Sequence, residues 1–215
     1  MANSRSSPPR AALREVVQQH TRAAYQDAIL TAAEHVFGKM GYFEAKMADI
    51  AQETGVSVGT LYNYFDSKEA VVVALAQRKH EEFFARLDDC ADVSPPLARL
   101  EALVGSMLSF FEERGDLFAV YLGMGLSNEN ECRRIGGLVG VESYLRFIAV
   151  LEAALNDAAE LGQVRRDLCP RALGTTLGGM LNAAIFSWMH EGRAGPLVER
   201  GKAVLDLFMN GARNE

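Results

Sequence analysis

Between Ser57 and Lys68 the chain reads SVGTLYNYFDSK. Hydroxyls from Ser57 and Thr60, phenols from Tyr62 and Tyr64, the Asn63 amide and the Lys68 ammonium stand there beside the methyls of Val58 and the bare backbone of Gly59. Such groups suit base edges, thymine methyls and phosphate oxygens, which are met by hydrogen bonds and apolar contact rather than by covalent chemistry.

The spacing says how these groups are presented. A short helix is expected from about Val58 to Tyr64, with Ser57 as its N-cap. If Leu61 and Phe65 point inward, Val58, Thr60, Tyr62 and Asn63 reach the other faces, and Gly59 lets the helix start approach a duplex closely. Tyr64 is counted with the outward set, although Tyr62, Tyr64 and Phe65 would all also serve as core aromatics. Lys68 falls in the first turn of a following helix, where free backbone N–H groups already favour an anion.

A short helix of this kind must be held up by others. Ala51, Gly55 and Leu61 supply what a helix-turn-helix needs: a small residue at the crossing, a turn residue tolerant of positive φ, and an apolar anchor. Ile50, Val56 and Phe65 complete a small core. Upstream, Tyr25, Ile29, Ala32, Ala33, Val36 and Phe37 form the i, i+4, i+7, i+8 stripe of an amphipathic helix over Thr21 to Met40, with Gly41 as its stop. A second helix is expected over Met47 to Glu53. A fourth begins at Asp66, with Glu69 as the partner in a capping box, and runs to about Asp88. Past Pro95-Pro96, helices are read near 97–114, 116–125, 128–161, 170–191 and 196–212. Strand alternation is absent, so the fold class is all-α: an arm over 1–20, flexible or a helical extension of the first helix, a three-helix helix-turn-helix domain over 21–68 and a larger helical part over 69–215.

Composition bounds the function. The 215 residues are 49% hydrophobic and 23% charged, with net charge −6, so affinity for nucleic acid cannot come from bulk charge. Locally, Arg5, Arg10, Arg14 and Arg22 face only Glu15 within 1–22, whereas 23–70 holds three lysines against seven acids. The arginine arm would enter a minor groove or fray; fraying is the expectation. MANSRSSPPR is no secretory signal and no span crosses a membrane, which points to the cytoplasm. Cys90, Cys132 and Cys169 show no metal spacing and read as ordinary reduced thiols, a redox sensor being the alternative. His20, His35, His80 and His190 form no HExxH. There is no P-loop and no GxSxG, and Gly136, Gly137 and Gly140 follow a helix rather than a strand. Neither an enzyme nor a cofactor nor a metal is expected.

Residues 23–75, AAYQDAILTAAEHVFGKMGYFEAKMADIAQETGVSVGTLYNYFDSKEAVVVAL, resemble the N-terminal domain of the tetracycline-repressor (TetR) family of transcriptional regulators. The resemblance implies a homodimer with two heads on a double-stranded DNA operator and a larger body in which a small-molecule effector moves the heads. By match to the motif, Thr60 and Tyr62 would touch backbone and bases and Lys68 a phosphate, while Ser57, Val58, Gly59 and Asn63 would line the groove. Lys46 stands where the family often has a threonine opening the second helix. That leaves the helix cap open, although a lysine there still reaches phosphate.

The implied effector cavity directs attention to Met107, Phe111, Tyr121, Met124, Phe147, Asn182 and Phe186, the alternative being a packed core. Asn182 interrupts the apolar run LGGMLNAAIFSW, and a buried amide must find a partner. The last two helices read as the dimer seam. Gly174 and Gly178 weaken a helix unless they permit close approach, with Leu177, Leu181, Val204, Leu205 and Phe208 supplying contact in a four-helix interface. The rival reading is a structural DNA-associated helix-turn-helix protein controlled by a protein partner, with no effector pocket.

Overall fold

The computed structural model describes residues 10–115 and 130–212, and side chains over 20–115 and 141–211. Among these residues the chain forms helices α1 (Arg10–Glu44), α2 (Met47–Thr54), α3 (Val58–Tyr62), α4 (Lys68–Asp88), α5 (Pro96–Glu113), α6 (Asn130–Glu160), α7 (Pro170–His190) and α8 (Leu197–Ala212), with no strand. The fold is all-α. The helix expected near 116–125 lies outside the described residues. Two compact units divide the chain, Met1–Leu75 and Ala76–Glu215.

In the first unit the α1 stripe buries Ile29, Ala33 and Phe37 almost completely. Tyr25 remains 42% exposed. Backbone helicity reaches back to Arg10, the first described residue. Gly41 adopts φ 78°, ψ 166°. That left-handed value costs glycine nothing and breaks the helical run, so Tyr42–Glu44 is a separate turn. Helix α2 ends at Gly55, φ 76°, whose N–H bonds back to the Gln52 carbonyl at 3.2 Å while the Val56 N–H reaches Ala51 at 3.0 Å. This reciprocal closure satisfies carbonyls that the helix end would leave bare. Ala51, Leu61 and Phe65 are buried as the helix-turn-helix spacing requires.

Helix α4 starts at Lys68, and its cap is Ser67, not Asp66: the Ser67 Oγ accepts the Ala70 N–H at 3.2 Å. Asp66 stands one residue too early to reach that donor, and Glu69 is engaged elsewhere.

The core of the second unit draws on α4 to α8. Gly174 and Gly178 do permit a close approach, but within the protomer. A Cβ on Gly178 would lie 2.3 Å from Ile148 Cδ1, and one on Gly174 would lie 3.4 Å from the Ile148 carbonyl oxygen and the Glu152 nitrogen, all on α6. Leu177, Leu181 and Phe208 are likewise buried inside the protomer. The expected seam residues Gly174, Leu177, Gly178, Leu181 and Phe208 are therefore core; Val204 and Leu205 are half-buried. The glycines signalled close packing correctly, and the partner is α6.

The start of α8 is held by the Glu112 carboxylate, which accepts the Leu197 N–H at 3.0 Å. Glu191, hydrogen-bonded first by Arg200 and then by the Ser187 hydroxyl, is held down to about 2. Burial pushes the Cys90 thiol up, which keeps it protonated and unreactive. Cys169 is exposed.

Candidate nucleic-acid interface

Helix α3 is one and a half turns long and depends on its cap. The Ser57 Oγ accepts the Thr60 N–H at 3.0 Å and pairs with the Thr60 Oγ1 at 2.8 Å. Two hydroxyls sharing one hydrogen bond leave one hydroxyl hydrogen for an acceptor outside the protein. Leu61 is fully buried and anchors the helix, so the remaining faces turn outward: Ser57, Val58, Gly59, Tyr62 and Asn63 are exposed, Tyr62 by 48%, and Thr60 is half-buried. Residues 57–65 contain no charged side chain. A Cβ on Gly59 would meet nothing nearer than the Ser57 Oγ at 3.8 Å. Internal packing therefore does not require glycine there, and the space it leaves faces outward.

Tyr64 does not belong to this outer face. Its ring stacks on Tyr25 of α1, with centroids 5.6 Å apart and planes at 26°. The Arg22 guanidinium lies 5.3 Å above the same ring, and its Nη2 donates to the Asn63 carbonyl at 3.5 Å. Because α3 ends at Tyr62, Tyr64 swings back onto α1. This contact also explains why Tyr25, a member of the α1 stripe, lies outside the core. Sequence reasoning missed Arg22 and Tyr25 as members of this edge. Their signal was an i, i+3 basic–aromatic pair on α1 with no acidic partner inside that pair.

Lys46 is exposed at the N-cap of α2. Half of a capping box survives the loss of the threonine, since the Asp49 carboxylate accepts the Lys46 N–H at 2.8 Å. The side chain beyond is directed at solvent beside a helix N-terminus, a suitable place for an anion.

Lys68 has another task than the one expected. Its Nζ donates to the carbonyls of Tyr42 at 2.7 Å, Ala45 at 2.8 Å and Phe43 at 3.4 Å, and it lies 4.3 Å from the centroid of the Tyr42 ring. An ammonium has three hydrogens, and all three are directed at the turn that closes α1. Next to it, the Glu69 carboxylate accepts the Tyr42 hydroxyl at 2.8 Å. Glu69 is held below the usual carboxylate range, chiefly by its own backbone N–H, then by Tyr42, Ser67 and the Lys68 charge, against the opposing effect of burial. The first two residues of α4 thus grip one tyrosine from both ends, which fixes the corner between α1 and α2.

A neutral, capped, outward helix on a helix-turn-helix scaffold has the geometry to enter a nucleic-acid groove. Residues 29–75 match the family model for bacterial regulatory proteins of the tetR family. Over these residues the chain belongs to the TetR family. It carries that family's DNA-binding helix-turn-helix and is a transcriptional regulator. The fatty acid metabolism regulator protein of Bacillus subtilis is 24% identical over 189 residues, covering 87% of this chain and 95% of the relative. The fold is shared with the crystal structure of the transcriptional regulator FadR from Bacillus subtilis in complex with stearoyl-CoA, at TM-score 0.72 and 22% identity over 86% of this chain and 97% of that one. It is shared too with the complex of triclosan and SmeT, the repressor of a Stenotrophomonas maltophilia efflux pump, at TM-score 0.74 and 21% identity over 89% and 93%. These relatives are regulators, and no helix among the described residues is long and apolar enough to cross a membrane.

Of the body residues singled out for an effector, Met107 and Phe147 lie in the core of the second unit and Phe111 packs against it. Met107 and Phe147 are buried, Phe111 is half-buried, and Phe186 is 50% exposed. Asn182 is half-buried, so its amide reaches water and carries no unmet demand for a ligand. Tyr121 and Met124 lie outside the described residues.

Proposed function

We propose that this TetR-family regulator is a dimeric repressor that binds a palindromic operator through α3 and is released by a small apolar or amphipathic effector. The observation that carries the DNA reading is the outer face of α3, where Tyr62, Asn63, Val58 and one free hydroxyl hydrogen of the Ser57–Thr60 pair stand exposed around Gly59. Two such heads would read half-sites about 34–36 Å apart or a multiple of it. Tyr62→Ala should lower affinity for an operator selected from random duplexes by about 10- to 100-fold, the range for losing one good base or backbone contact. Its melting temperature should match wild type, because the side chain supports nothing internal. Unchanged affinity would remove α3 from the interface.

The effector class is supported by the apolar and aromatic character of the α4–α5–α6 interior and by the relatives of like fold, whose ligands are stearoyl-CoA and triclosan.

The dimer seam supported by the packing is the outward face of α7 and α8 rather than the residues buried beneath it. Thr175, Gly179, Ala183 and Phe186 are exposed at helical spacing along α7 with no charge among them, and Leu207 of α8 is 66% exposed. Leu207→Glu should convert dimers to monomers in analytical ultracentrifugation, since a carboxylate facing its own copy across a two-fold is left unpaired. A variant that sediments as wild type would move the seam elsewhere.

A further inference from the structure

In the second unit a polar cluster joins α4 to α6. The Arg146 guanidinium lies 3.9 Å from the centroid of the Phe84 ring, and its Nη1 stands 3.3 Å from His80 Nε2. His80 Nδ1 is 2.7 Å from Ser143 Oγ, and the imidazole packs on the same phenylalanine, with ring centroids 4.6 Å apart. His80 and Phe84 are one turn apart on α4, and Ser143 and Arg146 one turn apart on α6, so the four side chains form a single contact between two helix faces.

What each group can donate or accept fixes the hydrogens of this cluster. A guanidinium only donates, so His80 Nε2 accepts from Arg146, while Nδ1 carries the ring hydrogen and donates it to Ser143 Oγ. Ser143 then keeps its own hydroxyl hydrogen, and Arg146 keeps the donors of its other edge. Among the described residues neither side chain has a further hydrogen-bond partner. Charge points the same way. Arg86, Arg99, Arg165 and Arg200 each meet a carboxylate. Arg146 meets none among the described residues, although Glu142 stands exposed four residues before it on α6, in the order that favours a helical ion pair. A half-buried histidine and a buried ring hold the arginine instead. Beneath it the rings continue inward: Phe84 is 2% exposed, its centroid is 4.9 Å from that of Phe83, and Phe83 lies 6.0 Å from Phe147. A cation with unused donors therefore stands at the edge of the apolar interior.

We infer that Arg146 and Ser143 receive the oxyanion head group, a carboxylate or a phosphate, of an amphipathic effector whose apolar chain lies along Phe84 and Phe83. This head-group site rests on the proposed effector reading of the second unit. The guanidinium fork suits either oxyanion, which it meets with two parallel N–H donors. His80 is a positioning residue: by accepting from one edge of the fork it turns the other edge outward, and by donating to Ser143 Oγ it frees the hydroxyl hydrogen for the same anion.

The test titrates the full chain with dodecanoate, dodecyl phosphate and dodecanol, which share one apolar chain and differ in the head group. Calorimetry at fixed pH and salt, below the concentration at which the probes aggregate, reads the affinities. Wild type should bind one or both anions about 10-fold more tightly than the alcohol, the range for a hydrogen-bonded charge after screening at an exposed arginine. The tighter anion identifies the head group. In Arg146→Gln this preference should vanish while the affinity for dodecanol stays. If Arg146 merely covered Phe84, the variant would weaken all three probes alike, and that result overturns the head-group site. Should Arg146→Gln lose its melting transition, Ser143→Ala takes its place, with about 3-fold weaker binding of the preferred anion and unchanged binding of dodecanol. Unchanged anion affinity in Ser143→Ala overturns the site as well. Equal binding of anions and alcohol by wild type sinks the head-group site alone, and binding of none of the three sinks the apolar-effector reading together with it.

Discussion

Lys68→Ala should destabilise the DNA-binding unit by about 2–3 kcal/mol, a fall in its melting temperature on the order of 10 °C. The reason lies in the acceptors. Tyr42 and Ala45 are 4% and 1% exposed, so their carbonyls lose the Lys68 ammonium without gaining full access to water. The exposed Phe43 carbonyl is rehydrated and adds little. Two hydrogen bonds from a charged donor would sum higher, but Lys68 is itself half-exposed, and screening reduces the figure. Arginine should not restore the loss, since a planar fork cannot place its donors on three carbonyls converging on one point. The experiment also decides between two roles. A phosphate-binding lysine would reduce the salt slope of operator binding by about 0.9 and leave the melting temperature alone. The clamp predicts the reverse: the salt slope is retained, the melting temperature drops, and amide exchange accelerates first around Ala45 and Lys46. Wild-type stability in Lys68→Ala would return the residue to the DNA.

The Lys68 clamp shows where sequence reading stops. Its acceptors stand 23 to 26 residues upstream, in a turn that exists only because Gly41 takes a left-handed conformation. Glycine at 41 and 55 was legible as a stop, because the conformations required there are nearly closed to other residues. The outward face of α3 was legible too, since burying Leu61 and Phe65 leaves the other positions outside. Tyr64 was not, because its orientation depends on where α3 ends and on a ring, Tyr25, almost forty residues away. Gly174 and Gly178 illustrate a third case. Small residues at i, i+4 announce that a helix comes close, but a second copy of the chain and α6 of the same chain leave the same trace in sequence. One step around the same helix, Thr175 and Gly179 are exposed instead.

Phe83→Ala should cost the second unit about 3–5 kcal/mol, the range for truncating a buried aromatic. Phe83, 7% exposed, is the hub of a ring cluster, with centroids of Phe84, Phe110, Phe147 and Phe111 at 4.9, 5.2, 6.0 and 6.1 Å. Aromatic pairs in tilted and edge-on arrangements add to the area term, and here one ring makes four of them. An apolar effector taken into the interior of the second unit, as proposed, would meet this cluster, so the size of the loss carries information about that proposal. If the rings close on one another, removing the hub opens a void, and the full cost appears. If they stand around an existing cavity, the alanine merely enlarges it, the cost falls toward the transfer value of about 1.5–3 kcal/mol, and an apolar ligand restores the melting temperature. Calorimetry of the variant with and without a long-chain acyl compound reads both quantities. The packing predicts the larger loss for Phe83 and a smaller one for half-buried Phe111. Equal losses at Phe83 and Phe111 would refute that ordering.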